Sequence, residues 1–319
     1  MTETSETRII TVSLNPAIDR AIEVEKLIPG DHLLGRELTR TAGGKGVNVA
    51  RVLAALDTRC VATGFLGEGN RGEFDACFAD PRIGDQFFPL AGRTRENITL
   101  VDRSANTETH IRDVGLEVSQ RDLDRLTSKL RLLSEDGTHV LFCGSTPPGV
   151  SPEQFSALVD ACIEQGAHVA VDTSGQALRA MRGRDLWLLK PNAKELQDLV
   201  GRELSGLDEQ FDAARELAEN AEHVILTRGG EGAYLFTRQL ECHAHVAVPS
   251  EDLRNTVGCG DALLAAFVAQ RRKGEGLRMS LGKAVATATA SACHEATAKF
   301  DPDLLGKLED IVVIEAIAS

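Results

Sequence analysis

Short apolar runs alternate with segments of helical periodicity along most of this chain. Apolar runs at 8–14, 60–66, 139–143, 168–172, 187–190 and 223–227 predict buried strands. Helical patterns cover 44–57, 73–79, 119–133, 153–164 and 207–220, and further helices begin at 193, at 261 and at 277, the last ending near 297. Ser119 and Asp122 have the spacing of a capping box at one helix start. Strands that alternate with helices favour an α/β fold with a mostly parallel central sheet and helices on both faces.

Two segments break this alternation. Residues 21–41 and 97–114 carry short alternating apolar runs without a long helix between them, which predicts half-buried strands of a small, separate β-sheet. Over a phosphate-transferring site, such a sheet would act as a lid that excludes water. Because no linker or repeat divides the chain, we expect one domain over 1–319, with lid segments at about 15–41 and 95–114.

Composition narrows the class of protein. An apolar fraction of 42% supplies a large core, yet no apolar run reaches the length of a membrane span. A net charge of −13 argues against nucleic acid or an anionic membrane as a partner. Seven cysteines without a Cys-x-x-Cys pair, behind a polar start without a signal region, predict reduced thiols in a cytoplasmic protein. The Cys242, His243 and His245 cluster fits an exposed strand face better than a metal site.

The most informative stretch is 255–261, which ends in Gly258-Cys259-Gly260-Asp261 and runs into a series of helix formers. The N–H groups at a helix start lack intrahelical partners and attract anions, most often phosphate. A carboxylate at this position has two interpretations. Asp261 either caps the helix or serves as a general base beside an anion hole.

A second glycine cluster, Ala42 to Asn48, also precedes a helical pattern. It is not a Walker A loop, because Gly46 follows Lys45 where that motif requires Ser or Thr. Its backbone N–H groups, with Lys45 and Asn48, suit the hydroxyls and anions of a small polar ligand. A tight turn that uses glycine for shape alone is the alternative.

Two further clusters follow predicted strands. Thr227 to Gly232 could line the phosphate tail of a nucleotide, or it could be a hairpin turn into the next apolar run. Asn192 and Glu195 fit a helix N-cap and a first-turn acid, and from the same helix start they could face a hydrated Mg²⁺.

Gly67 to Gly72 matches the G-x-G-x-x-G pattern of dinucleotide-binding proteins and supports a rival hypothesis, an NAD-dependent oxidoreductase. Two features disfavour it. The preceding strand is not the first of the chain, and no strand ending in Asp or Glu follows at the expected distance.

Taken together and in this order, the motifs resemble the PfkB-type carbohydrate kinases of the ribokinase fold, from about Ile9 to about Thr297. The two most specific matches are 42–50 and 255–261. The chain is most similar to the branch of 1-phosphofructokinases and tagatose-6-phosphate kinases, through 14–19, 144–150 and 94–97.

The resemblance implies ATP and Mg²⁺ as cofactors and a role for each motif residue. Asp261 would deprotonate the acceptor hydroxyl, and the N–H groups of Gly258, Cys259 and Gly260 would form the anion hole, where the family usually has Ala in place of Cys259. Residues expected to contact the sugar are Asp19, Gly43, Gly44, Lys45, Asn48 and Ser145, and Arg95 would bind its phosphate. Residues expected on the ATP side are Lys190, Asn192, Thr227, Gly229 and Gly232, while Glu195 would hold Mg²⁺ through water. In some members the lid also builds a homodimer.

Two departures from the branch fall in the lid. Residues 30–34 lack an Asn and an Arg that the branch has there, and His110 stands where the branch has Asn. The expected reaction is transfer of the ATP γ-phosphoryl group to a primary hydroxyl of a ketose phosphate. Fructose 1-phosphate is the first choice of acceptor, and tagatose 6-phosphate and fructose 6-phosphate stay open. A non-catalytic sugar-phosphate-binding regulator on the same scaffold is the alternative of a different class.

Overall fold

The computed structural model describes residues 8–317. The elements in chain order are β1 (Ile9–Ser13), β2 (Ala17–Val24), β3 (Gly35–Gly43), α1 (Lys45–Ala55), β4 (Cys60–Gly67), a 3₁₀ helix (Glu68–Cys77), β5 (Ile83–Asp85), β6 (Phe88–Leu90), β7 (Glu96–Asp102), β8 (Thr107–Ile111), α2 (Gln120–Leu133), β9 (His139–Cys143), α3 (Pro152–Ile163), β10 (His168–Asp172), α4 (Gly175–Arg179), β11 (Leu188–Leu189), α5 (Ala193–Val200), α6 (Leu207–Leu217), β12 (His223–Thr227), β13 (Ala233–Phe236), β14 (Glu241–His245), α7 (Cys259–Arg272), α8 (Leu277–Ala292), α9 (Pro302–Ile311) and β15 (Val313–Ala316).

The large sheet has the strand order β15-β14-β13-β12-β11-β10-β9-β1-β4-β5, and β6 also pairs with β4. Pairing is parallel from β12 to β5 and antiparallel from β12 to β15. Side chains alternate between the faces, so Val140 and Phe142 of β9 pack under α2 to α6, while Leu141 and Cys143 pack under α1, α7, α8 and α9. The expected α/β fold with helices on both faces is confirmed.

The two irregular segments form a separate four-stranded sheet in the order β3-β2-β7-β8. Its outer pairs are antiparallel, whereas β2 and β7 run parallel. Both edge strands are exposed along most of their length. The strands therefore lie where the alternating apolar runs predicted them.

Several predicted boundaries are wrong. The short helix predicted at 73–79 is a 3₁₀ helix from Glu68 to Cys77, which starts early because Gly69 N–H donates to the Gly92 carbonyl at 2.8 Å. The helix expected to reach 297 ends at Ala292, because the following residues turn back and bind Asn255 through the Glu295 carbonyl, at 3.0 Å, and the Thr297 hydroxyl. The strand predicted at 187–190 pairs only over Leu188–Leu189.

The C-terminal elements were not predicted. α9 begins with Asp301 as N-cap and Pro302 in the first turn, a combination typical of helix starts. β15 then pairs with β14 as an edge strand of the large sheet. Cys242, His243 and His245 do lie on a strand, where His243 stacks on Tyr234 with ring centroids 4.1 Å apart.

All seven cysteines are free thiols, five of them buried. None of the helices within residues 8–317 combines the length and the apolar character that crossing a bilayer requires.

Candidate active site

The start of α7 presents unpaired backbone donors. Gly258 is its N-cap with φ 84°, and a Cβ there would approach the Thr297 Cγ2 atom to 2.7 Å, so the turn requires glycine. The Cys259 N–H reaches the Thr256 carbonyl only at 3.4 Å, and the other N–H groups of the first turn have no earlier helical carbonyl. The helix start is therefore suited to hold an anion.

Asp261 lies in the first turn of α7 and is buried, with 5% of its surface exposed. Its carboxylate makes no capping bond and instead accepts a hydrogen bond from Asn48 Nδ2 of α1 at 2.8 Å. The interpretation of Asp261 as a helix cap is therefore wrong. Burial, and then the negative charge of Asp172, raise the pKa of Asp261 to about 7, so this carboxyl group can accept a proton near neutral pH.

Two lysines converge on Asp172 beside this carboxyl group. Lys45 Nζ lies 2.6 Å from Asp172 Oδ1, and Lys190 Nζ lies 3.1 Å from Asp172 Oδ2. Burial opposes the charge of each group, but mutual attraction outweighs it: the pKa of Lys45 is raised and the pKa of Asp172 is lowered. The cluster therefore carries a net positive charge next to the anion-binding helix start.

Asp172 was not singled out from the sequence. The available signal was its position as the last residue of a buried parallel strand, the end at which α/β sheets bind ligands. An acid at a strand end is common, and only the convergence of Lys45 and Lys190 distinguishes this one.

The second glycine cluster shapes the neighbouring wall. Gly43 ends β3 and Gly44 is the N-cap of α1, so the loop leads directly to Lys45 and, one turn later, to Asn48. A Cβ on Gly43 would meet the Asn48 Oδ1 atom at 3.2 Å. The loop therefore brings both of its polar side chains to Asp261 and Asp172.

The predicted sugar-binding residues Asp19, Arg95 and Ser145 form a separate group. The Arg95 guanidinium donates to the carbonyls of Asn15, at 3.0 Å, and Pro16, at 3.3 Å. Asn15 Nδ2 in turn lies 3.4 Å from the Ser145 hydroxyl. No hydrogen bond within residues 8–317 joins this group to Asp261.

Asp19 lies on β2 of the small sheet and accepts a hydrogen bond from Asn97 Nδ2 at 2.8 Å. Burial lowers the pKa of Arg95, whereas the nearby Asp19 carboxylate favours its charge. Asp19 and Arg95 are therefore neighbours, as a shared ligand requires.

The Gly67 to Gly72 cluster supports this group. Asn70 Nδ2 donates to the Thr94 carbonyl at 2.9 Å, and the Thr94 N–H donates to Asn70 Oδ1 at 2.8 Å. A Cβ on Gly67 would clash with the Thr94 backbone. The cluster thus fixes the residue that precedes Arg95.

A cavity of about 540 Å³ opens beside the α7 start. It is lined by the predicted residues Thr227, Gly229, Gly232, Cys259 and Gly260 and by apolar side chains that include Val246, Val248, Leu263 and Val285. The 227–232 segment is also the hairpin turn between β12 and β13, and a Cβ on Gly232, whose φ is 88°, would clash with the Ala244 carbonyl. The segment is therefore the hairpin turn that was the alternative interpretation, and it also lines the cavity, so the phosphate-binding interpretation stays a prediction.

Asn192 and Glu195 form a complete capping box at the start of α5. Asn192 Oδ1 accepts from the Glu195 N–H at 2.9 Å, and Glu195 Oε2 accepts from the Asn192 N–H at 2.9 Å. The other Glu195 oxygen lies 3.9 Å from Lys45 Nζ. Glu195 therefore places one oxygen atom, the ligand type that Mg²⁺ prefers, at the margin of the lysine cluster.

The chain is similar over most of its length to proteins named phosphofructokinases. The 1-phosphofructokinase of Vibrio cholerae is 34% identical over 259 residues, 81% of each chain. That of Bacillus subtilis is 32% identical over 305 residues, 94% of this chain and 98% of the relative. Among solved structures, the phosphofructokinase-2 from Escherichia coli in complex with substrates and products superposes with a TM-score of 0.86 at 27% identity, over 95% of this chain and 99% of that one.

A structure described as a possible 1-phosphofructokinase from Thermotoga maritima superposes with a TM-score of 0.81 at 26% identity, over 98% of this chain and all of that one. Residues 8–304 match the pfkB family carbohydrate kinases as a group. By this match and by its similarity to these relatives, the chain belongs to the pfkB family of carbohydrate kinases.

Proposed function

We propose that this protein transfers the γ-phosphoryl group of ATP to a primary hydroxyl of fructose 1-phosphate, giving fructose 1,6-bisphosphate. The observation that carries the proposal is the buried Asp261 carboxyl group, held by Asn48 at the start of a helix whose N–H groups can receive a phosphoryl group. The relatives named 1-phosphofructokinase support the choice of acceptor.

In this proposal Asp261 takes the proton of the acceptor hydroxyl as the phosphoryl group transfers. The N–H groups at the start of α7 stabilise the charge that develops on the phosphoryl oxygens, and Lys45 and Lys190 add positive charge nearby. The glycine turn at 229–232 holds the phosphate tail, and the apolar wall of the cavity takes the base. Cys259 acts through its backbone only.

Glu195 and Asn192 would serve Mg²⁺ on the ATP side, with Glu195 acting through water. The donor set fits, because a carboxylate oxygen lies free of the capping box at a helix start. When bound, Mg²⁺ would neutralise phosphate charge, and Glu195 would orient its hydration shell.

Arg95 would bind the phosphate that the acceptor already carries. Three of its N–H groups bind backbone carbonyls, so two donors remain for phosphate oxygens. The small sheet would close over the acceptor as a lid. His110 pairs with Thr99, which is two residues from Asn97, the partner of Asp19, so His110 lies on the same face of the small sheet as Asp19. His110 would supply a hydrogen-bond donor where the branch has Asn.

We also propose that the lid builds a homodimer. Large apolar side chains of the two lid segments are exposed, including Leu34 at 98% and Ile111 at 51%.

ADP release measured over fructose 1-phosphate, tagatose 6-phosphate, fructose 6-phosphate and free fructose tests the proposal. We expect the highest kcat/KM with fructose 1-phosphate. Asp261→Asn should lower kcat by about 10²–10⁴-fold and leave ATP binding nearly intact. A higher kcat/KM with another ketose phosphate would identify that compound as the acceptor in place of fructose 1-phosphate. Sugar-phosphate binding without ADP release would make the protein a regulator, and activity that requires NAD would overturn the kinase assignment.

A further inference from the structure

A second cavity, of about 530 Å³, lies behind the small sheet. Its walls come from the end of β3, the outer side of α1, the 3₁₀ helix and the segment 294–300. Arg40 and Ala42 belong to the face of β3 opposite to Thr41, and Thr41 is the cross-strand partner of Asp19. The cavity therefore opens mainly on the side of the small sheet opposite to Asp19, although Thr41 also lines it.

The charges of this cavity do not balance. Its acidic groups are already engaged: Glu73 pairs with Arg40 at 2.6 Å, and Asp80 pairs with Arg82 at 3.0 Å. By contrast, neither Arg51 nor Lys299 has a hydrogen-bond or ion-pair partner within residues 8–317. Two positive charges thus remain uncompensated in one concave site.

Arg51 and Lys299 line the cavity together with the Cys77 thiol. Burial raises the pKa of the Cys77 thiol in the cavity wall, and both Arg51 and Lys299 lower it. His294 adds a directed donor from the same wall. Its Nδ1 atom accepts a hydrogen bond from the Ala296 N–H at 2.9 Å, so the proton of the neutral ring is on Nε2. A guanidinium, an ammonium and an imidazole N–H together match the oxygens of a phosphate group.

The rest of the cavity is larger than a phosphate ion needs and is walled by small or apolar side chains, among them Ala54, Ala55, Ala76, Ile83 and Phe300. We propose that this cavity is a second ligand site that binds a phosphate monoester. Arg51, Lys299 and His294 hold the phosphate, and the organic body contacts the apolar wall.

The site borders the catalytic centre without sharing its residues. Arg51 follows Asn48 by one turn of α1, and Asn48 holds Asp261. On the other wall, Ala298, with φ 53°, adjoins Thr297, and both lie against Gly258 of the catalytic turn. An occupant would therefore touch the two elements that fix Asp261 and the anion hole.

Calorimetric titration with phenyl phosphate tests the site, with a non-hydrolysable ATP analogue present in a saturating amount. Fructose 1-phosphate is left out, because it is itself a phosphate monoester and would compete for the proposed site. We expect phenyl phosphate to bind the wild-type chain once and more tightly than inorganic phosphate does. Arg51→Gln and Lys299→Gln should each weaken binding about tenfold, and the double variant about 100-fold or more.

The matched control is Lys273→Gln with Lys307→Gln, which removes two exposed charges that do not line the cavity and should leave phenyl phosphate binding unchanged. Wild-type chain that does not bind phenyl phosphate overturns the proposal. So does binding that survives in the Arg51 and Lys299 double variant, which would place the ligand elsewhere, whether or not fructose 1-phosphate is the acceptor. Equal affinity for inorganic phosphate would overturn the monoester assignment.

Discussion

At the scale of single residues, the proposed chemistry depends on how the Asp261 carboxyl group is held. Burial and the charge of Asp172 make its carboxylate harder to form, while Asn48, Lys45 and Lys190 stabilise the carboxylate. The balance puts its pKa at about 7, far above the usual range for Asp. A base tuned to this value is half deprotonated near neutral pH, which suits general-base work.

Because only the carboxylate accepts a proton, kcat/KM should rise with pH and level off above about 7. Asn48→Ala removes a hydrogen bond that favours the carboxylate, so the midpoint should move to higher pH. A hydrogen bond to a charged group contributes about 1.5–3 kcal/mol, which predicts a shift of about 1–2 pH units. The measurement is a pH profile of ADP release.

Asn97→Ala is the matched control, since it removes the same kind of bond from Asp19 and should leave the midpoint in place. A midpoint that is unmoved in Asn48→Ala would show that another group titrates.

Arg95 has two roles to separate, because it already bridges the carbonyls of Asn15, Pro16 and Asp113. If it also binds the acceptor phosphate, Arg95→Ala should raise KM for fructose 1-phosphate by about 10–100-fold and KM for ATP little. The preference for fructose 1-phosphate over free fructose should shrink by the same factor. A KM increase that is equal for fructose 1-phosphate and free fructose would show that Arg95 only holds the surrounding loops in place.

At the scale of elements, the start of α5 combines a structural device with the proposed metal role. Asn192→Ala removes the N-cap and should cost about 1 kcal/mol of stability in denaturant unfolding. Glu195→Gln keeps the capping box, because Gln can also accept at this position, so its stability should hardly change. The Mg²⁺ requirement of this variant should rise.

The two variants control for each other. If Glu195→Gln leaves the Mg²⁺ titration unchanged and raises KM for the sugar, Glu195 does not serve Mg²⁺.

The elements also show what the sequence could predict. The capping box at Ser119 and the helix start near Asp261 are local patterns, and both were predicted within two residues. Asp172 binds Lys45 across 127 residues and Asn15 binds Val114 across 99 residues, separations that no local pattern reveals. The end of α8 also depends on a tertiary contact, because the helix stops just before the residues that bind Asn255.

At the scale of the whole molecule, the exposed apolar side chains of the small sheet predict a homodimer. Leu34→Asp with Ile111→Asp should place charges in that interface and give monomers in sedimentation velocity. Leu132→Asp is the control, because Leu132 is 85% exposed but lies on α2 of the main body. Wild-type chain that sediments as a monomer, or a double variant that stays dimeric, would contradict the lid dimer.

The bond between Asn48 and Asp261 joins residues 213 positions apart. A ribosome delivers the glycine loop early and the catalytic carboxyl group only near the end of synthesis. A nascent chain can therefore fold most of its parallel strands while it still lacks the base and the anion hole. On the proposed mechanism, such an incomplete chain would be unable to transfer a phosphoryl group.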